Sequence, residues 1–253
     1  MDTMYSDTRL GALYDRLYPL PRPALDFYLP LIRAAQSVLD VGCGTGALLA
    51  AARDAGYRGR LCGLDPAEGM LARARARTDI EWICGAVAEL DRVSEFDLAV
   101  MTGHVFQVFV EDEELHAALA AVHAALKSHG RFVFETRNPA ARAWEQWTPE
   151  RAVQVDDGRG NAVRVSSQVE AAYDGRTVAF AQSYRCDSWE TPLVSRSVLR
   201  FVDAAGVARF LTEAGFMIEE QFGDFDRRPL RHDSAEIVTI ARARPWAPTA
   251  SPR

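Results

Sequence analysis

Several features that mark particular protein classes are scarce in this chain of 253 residues. Its four cysteines form no CxxC pair and no metal-ligand spacing, so neither a zinc site nor a disulfide framework is expected. They stand at Cys43, Cys62, Cys84 and Cys186. No apolar run is long enough to span a membrane, and residues 1–20 contain no apolar leader segment. We therefore expect a cytoplasmic protein with reduced thiols and no membrane partner.

Concentrated positive charge is also missing. Lysine and arginine total 29 against 35 acidic residues, which gives a net charge of −6. The densest basic stretch, LARARART at 71–78, has arginines at alternate positions, which a helix would spread around its surface. Because phosphate backbones are bound by concentrated basic faces, we expect no nucleic-acid partner. The acids and histidines lack ligand spacing, so no metal site is expected either.

Apolar runs and helical patterns alternate regularly up to Thr136. The runs suited to buried strands are SVLDVG, RLCGLD, IEWIC, FDLAVM and RFVFET. Helical patterns occupy 24–36, 46–55, 67–77 and 113–127. FMIEEQF and AEIVTIARA add two strands near the C-terminus. The alternation predicts an α/β fold with a doubly wound, seven-stranded, mostly parallel sheet covered by helices on both faces.

The pattern changes after Pro139, where apolar and polar residues alternate as they do in a strand. Asp157-Gly158 and Asp174-Gly175 divide this region in the manner of hairpin turns. We predict an antiparallel β insertion over 140–202, serving as a substrate cap or as a dimer element whose edges pair across a homodimer. The other predicted divisions are an N-terminal helical or lid segment (1–36), a ligand-binding α/β domain (37–139 and 203–244) and a flexible tail (245–253).

The stretch VLDVGCGTG joins an acidic strand end to a glycine-rich turn. Gly42, Gly44 and Gly46 allow a tight turn and a close ligand approach, and Gly42, Gly44 and Ala47 also satisfy the relaxed dinucleotide pattern. A pyrophosphate here would meet the carboxylate of Asp40, whereas the cationic amino and sulfonium groups of S-adenosylmethionine would be attracted to it. Asp40 therefore favours S-adenosylmethionine over NAD.

Asp65 ends the next strand, about 20 residues after the glycines, where an acid can accept hydrogen bonds from a ribose. This role suits either cofactor. The same carboxylate could instead cap the helix that follows Pro66, and the two roles are compatible.

Four motifs together resemble the class I S-adenosylmethionine-dependent methyltransferases: VLDVGCGTG, GLDPAEGML, the ICGAVAEL region and FDLAVM. The resemblance spans about 37–136, and GFMIEEQFGDF resembles the closing hairpin of that fold. It implies a Rossmann-like fold, S-adenosylmethionine as cofactor and S-adenosylhomocysteine as product. The implied contacts are Asp40, Gly42, Gly44 and Gly46 on the methionine part, Asp65 on the ribose and Met70 on the adenine. Cys43, Pro66, Gly85, Ala86, Val87 and Thr102 complete the predicted cofactor site.

One motif departs from the family pattern. Many relatives have an aspartate that binds the adenine amino group, but this chain has Gly85-Ala86-Val87 at that place. Backbone groups of Ala86 and Val87, or the side chain of Glu89, are the candidates to replace it.

The candidate catalytic residue is His104, which follows the strand FDLAVM where the sulfonium should lie. Methyl transfer is an in-line displacement in which the protein aligns the acceptor, and a hydroxyl or ammonium acceptor must also lose a proton. The pKa of a histidine side chain suits proton transfer near neutrality. His104 is either this base or a residue that only lines the pocket.

Five further residues are candidates for the substrate side: Tyr14, Tyr18, Arg137, Trp144 and His232. The tyrosines could belong to a lid or to a helix packed on the sheet. The arginine could bind an anionic substrate group or an internal acid. The tryptophan, like Trp147, could form a pocket wall or pack in the core. The histidine is a second candidate base.

We therefore predict a methyltransferase for a small-molecule acceptor with a nitrogen or oxygen nucleophile, such as a secondary metabolite or a sugar. The inserted strands and the YDRLY segment also resemble sugar and glycine N-methyltransferases in layout. Two alternatives stay open: an NAD-dependent oxidoreductase and a non-catalytic S-adenosylmethionine-binding module. Methylation of tRNA or rRNA would require a positive field around the pocket, which this sequence does not indicate.

Overall fold

A computed structural model describes Met4 and residues 7–245, except for the side chains of Thr8 and Ala12. Apart from Pro245, the tail predicted over 245–253 lies outside the described residues. The strands, in chain order, are β1 Ser37–Val41, β2 Arg60–Asp65, β3 Glu81–Cys84, β4 Phe96–Met101, β5 Leu126–Arg137, β6 Val153–Asp156, β7 Ala162–Ala171, β8 Thr177–Cys186, β9 Leu193–Arg200, β10 Phe216–Phe222 and β11 Glu236–Ala243. The described helices are α1 Thr8–Leu17, α2 Arg22–Ala34, α3 Ala47–Asp54, α4 Glu68–Ala74, α5 Asp112–Ala125 and α6 Ala204–Glu213.

Seven of these strands form one sheet in the order β10-β11-β5-β4-β1-β2-β3. Strands β1 to β5 are parallel, and β11 is antiparallel to both β5 and β10. This confirms the predicted α/β class and the mostly parallel sheet. The chain leaves β1 towards β2 and β3 and then returns to the other side of β1 as β4. Ligands of such sheets bind at this switch point, beyond the carboxyl ends of the strands.

Helices cover both faces of the sheet, because alternate strand residues are buried on opposite sides. On one face, α2 and α3 pack against apolar residues such as Val38, Val100 and Val238. On the other face, α5 and α6 pack against residues such as Leu39 and Phe134. Burial of the strands on both faces explains their continuous apolar runs.

The boundary between α5 and β5 differs from the prediction. A helix was expected over 113–127, but α5 ends at Ala125 and Leu126 already has extended dihedrals, φ −78° and ψ 142°. Leu126 pairs with Phe96 of β4, so strand pairing replaces the last two residues of the predicted helix. The amino group of Lys127 binds the carboxylate of Asp97 at 2.9 Å instead of lying at a helix end.

The insertion between β5 and α6 forms a second, antiparallel sheet in the order β6-β7-β8-β9. Both predicted Asp-Gly turns are confirmed, between β6 and β7 and between β7 and β8, with φ of 84° at Gly158 and 100° at Gly175. Such angles strain residues that carry a Cβ, which explains glycine here. One face of this sheet packs against Leu10 and Leu13 of α1. Helix α1 thus lies between the inserted sheet and the glycine turn after β1, where Asp15 accepts a hydrogen bond from Thr45.

No helix in the described part of the chain is both long enough and apolar enough to cross a membrane.

Candidate cofactor and acceptor site

A cavity of about 410 Å³ opens at the switch point of the large sheet. Its floor is formed by the carboxyl ends of β1, β4 and β5, and its walls by α1, the start of α2 and the inner face of the inserted sheet. Among the predicted site residues, the lining contains Tyr14, Tyr18, Asp40, Gly42, Cys43, Gly44, Thr102, His104 and Arg137. The fold therefore brings residues of the N-terminal segment, the α/β domain and the insertion around one space.

The glycine turn is shaped by close neighbours as well as by its backbone angles. Gly42 has φ 72°, and a Cβ there would lie 2.6 Å from a methyl carbon of Val105. Gly46 has φ 78°, and a Cβ there would lie 2.3 Å from the ring of Trp82. Both positions therefore exclude a side chain on two independent grounds.

Asp40 lies under this turn and is 1% exposed. No described residue forms a hydrogen bond with its buried Oδ1. Burial, and then the negative charges of Asp65 and Glu135, raise the pKa of Asp40 well above its usual value. A buried carboxylate without a partner is unfavourable, and a cationic group in the cavity would relieve the cost. These residues fit the ammonium and sulfonium charges of S-adenosylmethionine.

Asp65 lies at the end of β2 and already accepts two backbone hydrogen bonds. Its Oδ2 accepts from the amide of Gly44 and its Oδ1 from the amide of Ala67, both at 2.8 Å. The second bond closes a turn just before α4, whose N-cap is Ala67 and has no side-chain cap, so Asp65 does not cap this helix. The first bond ties the glycine turn to β2. Since a carboxylate has about four lone-pair positions, it can still accept from a ribose.

The cofactor-site residues predicted on α4 and just after β2 and β3 lie outside the lining of the cavity. Met70 and Val87 are buried, whereas Pro66 and Ala86 are exposed. The amide of Gly85 donates to the carbonyl of Asp65 at 3.1 Å. Their contacts with an adenine stay predictions.

His104 is held at the cavity floor by two carboxylates. Its backbone amide donates to Oε1 of Glu135 at 3.1 Å, and its ring Nε2 lies 3.0 Å from Oε1 of Glu236. The hydroxyl of Tyr28 in turn donates to Oε2 of Glu135. His104 has φ 63°, an uncommon angle for a residue other than glycine.

Tyr28, Glu135 and Glu236 were not among the residues predicted from the sequence. A signal for Glu135 was present, since an acid interrupts the apolar run RFVFET at a position that shares the face of Val133. Glu135 is 2% exposed, and burial raises its pKa. No local pattern marked Tyr28 or Glu236, which are 107 and 132 residues from their partners along the chain.

Arg137 lies in the cavity lining beside an aromatic wall. Its guanidinium donates to Oε1 of Gln107 at 2.9 Å and lies 5.6 Å from the ring centroid of Trp147. Trp147 also lines the cavity and packs on Phe180 of the inserted sheet, with ring centroids 4.6 Å apart. The cation is thus held at a fixed place facing the insertion.

Two predicted substrate residues lie elsewhere. Trp144 is outside the cavity lining and packs against Tyr173 and Phe201, each with ring centroids 4.6 Å away. His232 is exposed, and its carbonyl accepts a hydrogen bond from the side chain of Asn138. Its ring is not among the groups that line the cavity.

The N-terminal helix α1 covers the glycine turn. The ring of Tyr14 lies 3.8 Å from the Cβ position of Gly44, and burial is the main cause that raises the pKa of Tyr14 to about 12. The hydroxyl of Tyr18 donates to Oε1 of Gln182 in β8 at 2.9 Å. The helix therefore packs on the inserted sheet and faces the cavity at the same time, so the two roles considered for it are compatible.

Comparisons with known proteins find similarity in part of the α/β domain. Residues 38–130 match the family model described as "Methyltransferase domain". A cypemycin N-terminal methyltransferase from Streptomyces sp. is 31% identical over 140 residues, which are 54% of this chain and 56% of that protein. The chain spans about half the length, or less, of the curated relatives that it matches.

Solved structures match over nearly the whole chain. An S-adenosylmethionine-dependent methyltransferase from Clostridium acetobutylicum has a TM-score of 0.74 at 16% identity, covering 93% of this chain and 98% of that one. A sugar N-methyltransferase from Streptoalloteichus sp. has a TM-score of 0.69 at 19% identity, covering 91% and 92%. At such identities the likeness concerns the fold, which includes the insertion. Residues 38–130 therefore form a methyltransferase domain, and the fold of the chain is that of the class I S-adenosylmethionine-dependent methyltransferases.

Proposed function

We propose that this chain transfers the methyl group of S-adenosylmethionine to a nitrogen or oxygen nucleophile of a small molecule. The choice of S-adenosylmethionine as cofactor rests on one observation: Oδ1 of Asp40, below the glycine turn, is buried and has no hydrogen-bond partner among the described residues. A pyrophosphate at this turn would be repelled by that carboxylate, whereas a cationic nucleoside would neutralise it.

The proposed small-molecule acceptor is supported by the cavity wall that the inserted sheet forms. The inserted sheet contributes Ser167, Gln182 and Ser197 next to Phe180. Hydroxyl and amide groups beside aromatic rings suit a ring-shaped molecule with hydroxyl groups, such as a sugar or a secondary metabolite. The similar sugar N-methyltransferase and cypemycin N-terminal methyltransferase support a nitrogen nucleophile as the first choice.

The cavity also supports a defined division of roles. Asp40 and the glycine turn bind the cofactor, His104 takes a proton from the acceptor, and Arg137 orients a negatively polarised group of it. The inserted sheet and α1 exclude water from the reacting atoms. A macromolecular acceptor is disfavoured because these elements cover the cavity.

Binding experiments test the cofactor. The melting temperature of the protein should rise with S-adenosylmethionine and S-adenosylhomocysteine and stay unchanged with NAD. Asp40→Asn should weaken S-adenosylmethionine binding about 10- to 100-fold, as expected for the loss of a charged hydrogen bond. Tight binding of NAD with no response to S-adenosylmethionine would instead support the oxidoreductase alternative.

Turnover tests the acceptor. Incubation with S-adenosylmethionine and a panel of amino sugars, free amines and phenols should release S-adenosylhomocysteine with at least one member. A protein that binds the cofactor yet never forms this product with small molecules, peptides or RNA would be a binding module. Cell fractionation and size-exclusion chromatography test the two remaining predictions, a cytoplasmic location and a homodimer.

A further inference from the structure

The ring of His104 is engaged at one nitrogen. Its Nε2 lies 3.0 and 3.1 Å from the two carboxylate oxygens of Glu236. Within residues 7–245, no hydrogen bond to its Nδ1 is formed. His104 lines the cavity, and its side chain is 22% exposed. One nitrogen is therefore bound to an acid, while the other has no hydrogen-bond partner among the described residues.

This contact determines where the ring carries its proton. A carboxylate only accepts hydrogen bonds, so a neutral imidazole that binds it must donate from Nε2. The lone pair then resides on Nδ1, and the partner of one ring nitrogen fixes the chemistry of the other. The opposite tautomer would place the lone pair of Nε2 against the negative charge of Glu236.

The backbone of His104 is fixed as well. Glu135 accepts from its amide, and the Tyr28 hydroxyl holds the second oxygen of that buried carboxylate. Glu135 and Glu236 stand on the neighbouring strands β5 and β11, whose pairing sets the distance between them. The ring can therefore neither rotate nor shift without breaking a contact to a rigid strand.

We propose that Glu236 is a positioning residue that sets the tautomer of His104 and directs its Nδ1 lone pair into the cavity. The inference rests on the proposed function for its chemical consequence. As the acceptor nitrogen or oxygen forms its bond to the methyl carbon, the carbon–sulfur bond breaks and its electron pair stays on sulfur. The proton lost by the acceptor moves to Nδ1, and the resulting imidazolium faces the Glu236 carboxylate.

The chain offers a matched control. Nε2 of His116 lies 2.8 Å from Oε2 of Glu213, between α5 and α6 and outside the cavity lining. Glu236→Gln and Glu213→Gln therefore make the same chemical change at two histidine–glutamate pairs. A glutamine amide can donate to Nε2 and so permit the other tautomer of the histidine that it contacts. Only Glu236→Gln should therefore change the tautomer of His104, because Glu213 contacts His116 instead.

Nitrogen-15 spectra of the histidine rings, recorded on the full chain saturated with S-adenosylhomocysteine, test this without any acceptor. The five histidines are few enough to assign His104 by its absence in His104→Gln. Neutral His104 should carry its proton on Nε2 in the wild type and in Glu213→Gln. In Glu236→Gln the Nδ1-protonated form should increase severalfold.

Rates of methyl transfer provide the second readout. Glu236→Gln should lower kcat at least about tenfold, part of the ~10²- to 10⁴-fold that a positioned base contributes, and leave KM for S-adenosylmethionine unchanged. Glu236→Asp should restore part of the rate. A wild-type proton on Nδ1, or tautomers in Glu236→Gln identical to those in Glu213→Gln, would overturn the inference. Since the spectra need no turnover, this result is independent of whether the proposed methylation is found.

Discussion

The hydroxyl of Tyr28 donates a hydrogen bond to the carboxylate of Glu135, and both side chains are buried between α2 and the large sheet. The bond joins residues that are 107 positions apart in the sequence. It leaves the other carboxylate oxygen to the amide of His104 at 3.1 Å. One helix is thereby connected, through a strand, to the turn that presents the candidate base.

We expect Tyr28→Phe to lower the free energy of unfolding by about 1.5–3 kcal/mol, because a buried carboxylate loses its side-chain donor. Tyr57→Phe is the matched control, since its hydroxyl donates to the neutral carbonyl of Ala35 at 3.0 Å. That bond should contribute only about 0.5–1.5 kcal/mol. Urea denaturation of both variants measures the difference, and equal losses would show that the Glu135 contact has no special strength.

Asp40 gives the cofactor-free protein a pH dependence of known sign. Burial raises its pKa in the folded chain above 3.8, so the folded state binds a proton more tightly than the unfolded state. Its contribution to the free energy of unfolding is therefore present at low pH and is lost as pH rises from about 3.8 through the raised folded pKa. Asp40→Asn should remove this part of the decline.

Asp97 provides the opposite sign for comparison. Its pKa is lowered in the folded chain, with hydrogen bonds from Lys127 and Ser37 opposing burial, so its contribution is lost as pH falls below 3.8. Denaturation curves recorded from acid to neutral pH should therefore deviate from the wild type in opposite directions as pH rises: Asp40→Asn should become more stable than the wild type, and Asp97→Asn less stable. A wild-type curve for Asp40→Asn at high pH would contradict the assignment.

Alanine variants of Trp147 and Trp144 should distinguish a role in acceptor binding from a role in packing. Trp147 lines the cavity, whereas Trp144 is stacked on Tyr173 outside it. Trp147→Ala should raise KM for the acceptor about tenfold, the equivalent of about 1.4 kcal/mol, without changing KM for S-adenosylmethionine. Trp144→Ala should lower the melting temperature and leave the acceptor KM unchanged. The reverse pattern would return Trp144 to the substrate wall, as the sequence first suggested.

Gly46 and Gly56 share a left-handed backbone but differ in their surroundings. Their φ angles are 78° and 88°; a Cβ at Gly46 would collide with the ring of Trp82, whereas a Cβ at Gly56 would meet nothing within 4 Å. Gly56→Ala should cost about 1–2 kcal/mol of stability from backbone strain alone. Gly46→Ala should cost about 1–3 kcal/mol more, because Trp82 must move. Thermal denaturation of the two variants checks the difference, and equal losses would mean that the ring adapts without cost.

The parts of the site that could be predicted lie within single turns. Asp40 is near the end of β1 and the three glycines follow it directly, so their proximity follows from chain connectivity. Thr102 and His104 were predicted by a second rule: residues that follow parallel strands meet at one edge of the sheet. The same argument failed for His232. This residue lies in the loop between β10 and β11, and its side chain is exposed to solvent.

The sequence by itself determined the alternation of strands and helices, the inserted antiparallel strands and the acidic glycine turn. Periodic burial and local backbone angles each require particular residue types at particular positions, so these features can be predicted from the order of residues. Only the tertiary structure decided which distant groups meet: Tyr28 with Glu135, Glu236 with His104, and Trp147 rather than Trp144 with the cavity. Those pairings depend on strand register and on which face of a strand or turn each side chain occupies. A polar residue in an apolar run shows that a partner is needed, but it does not show which one.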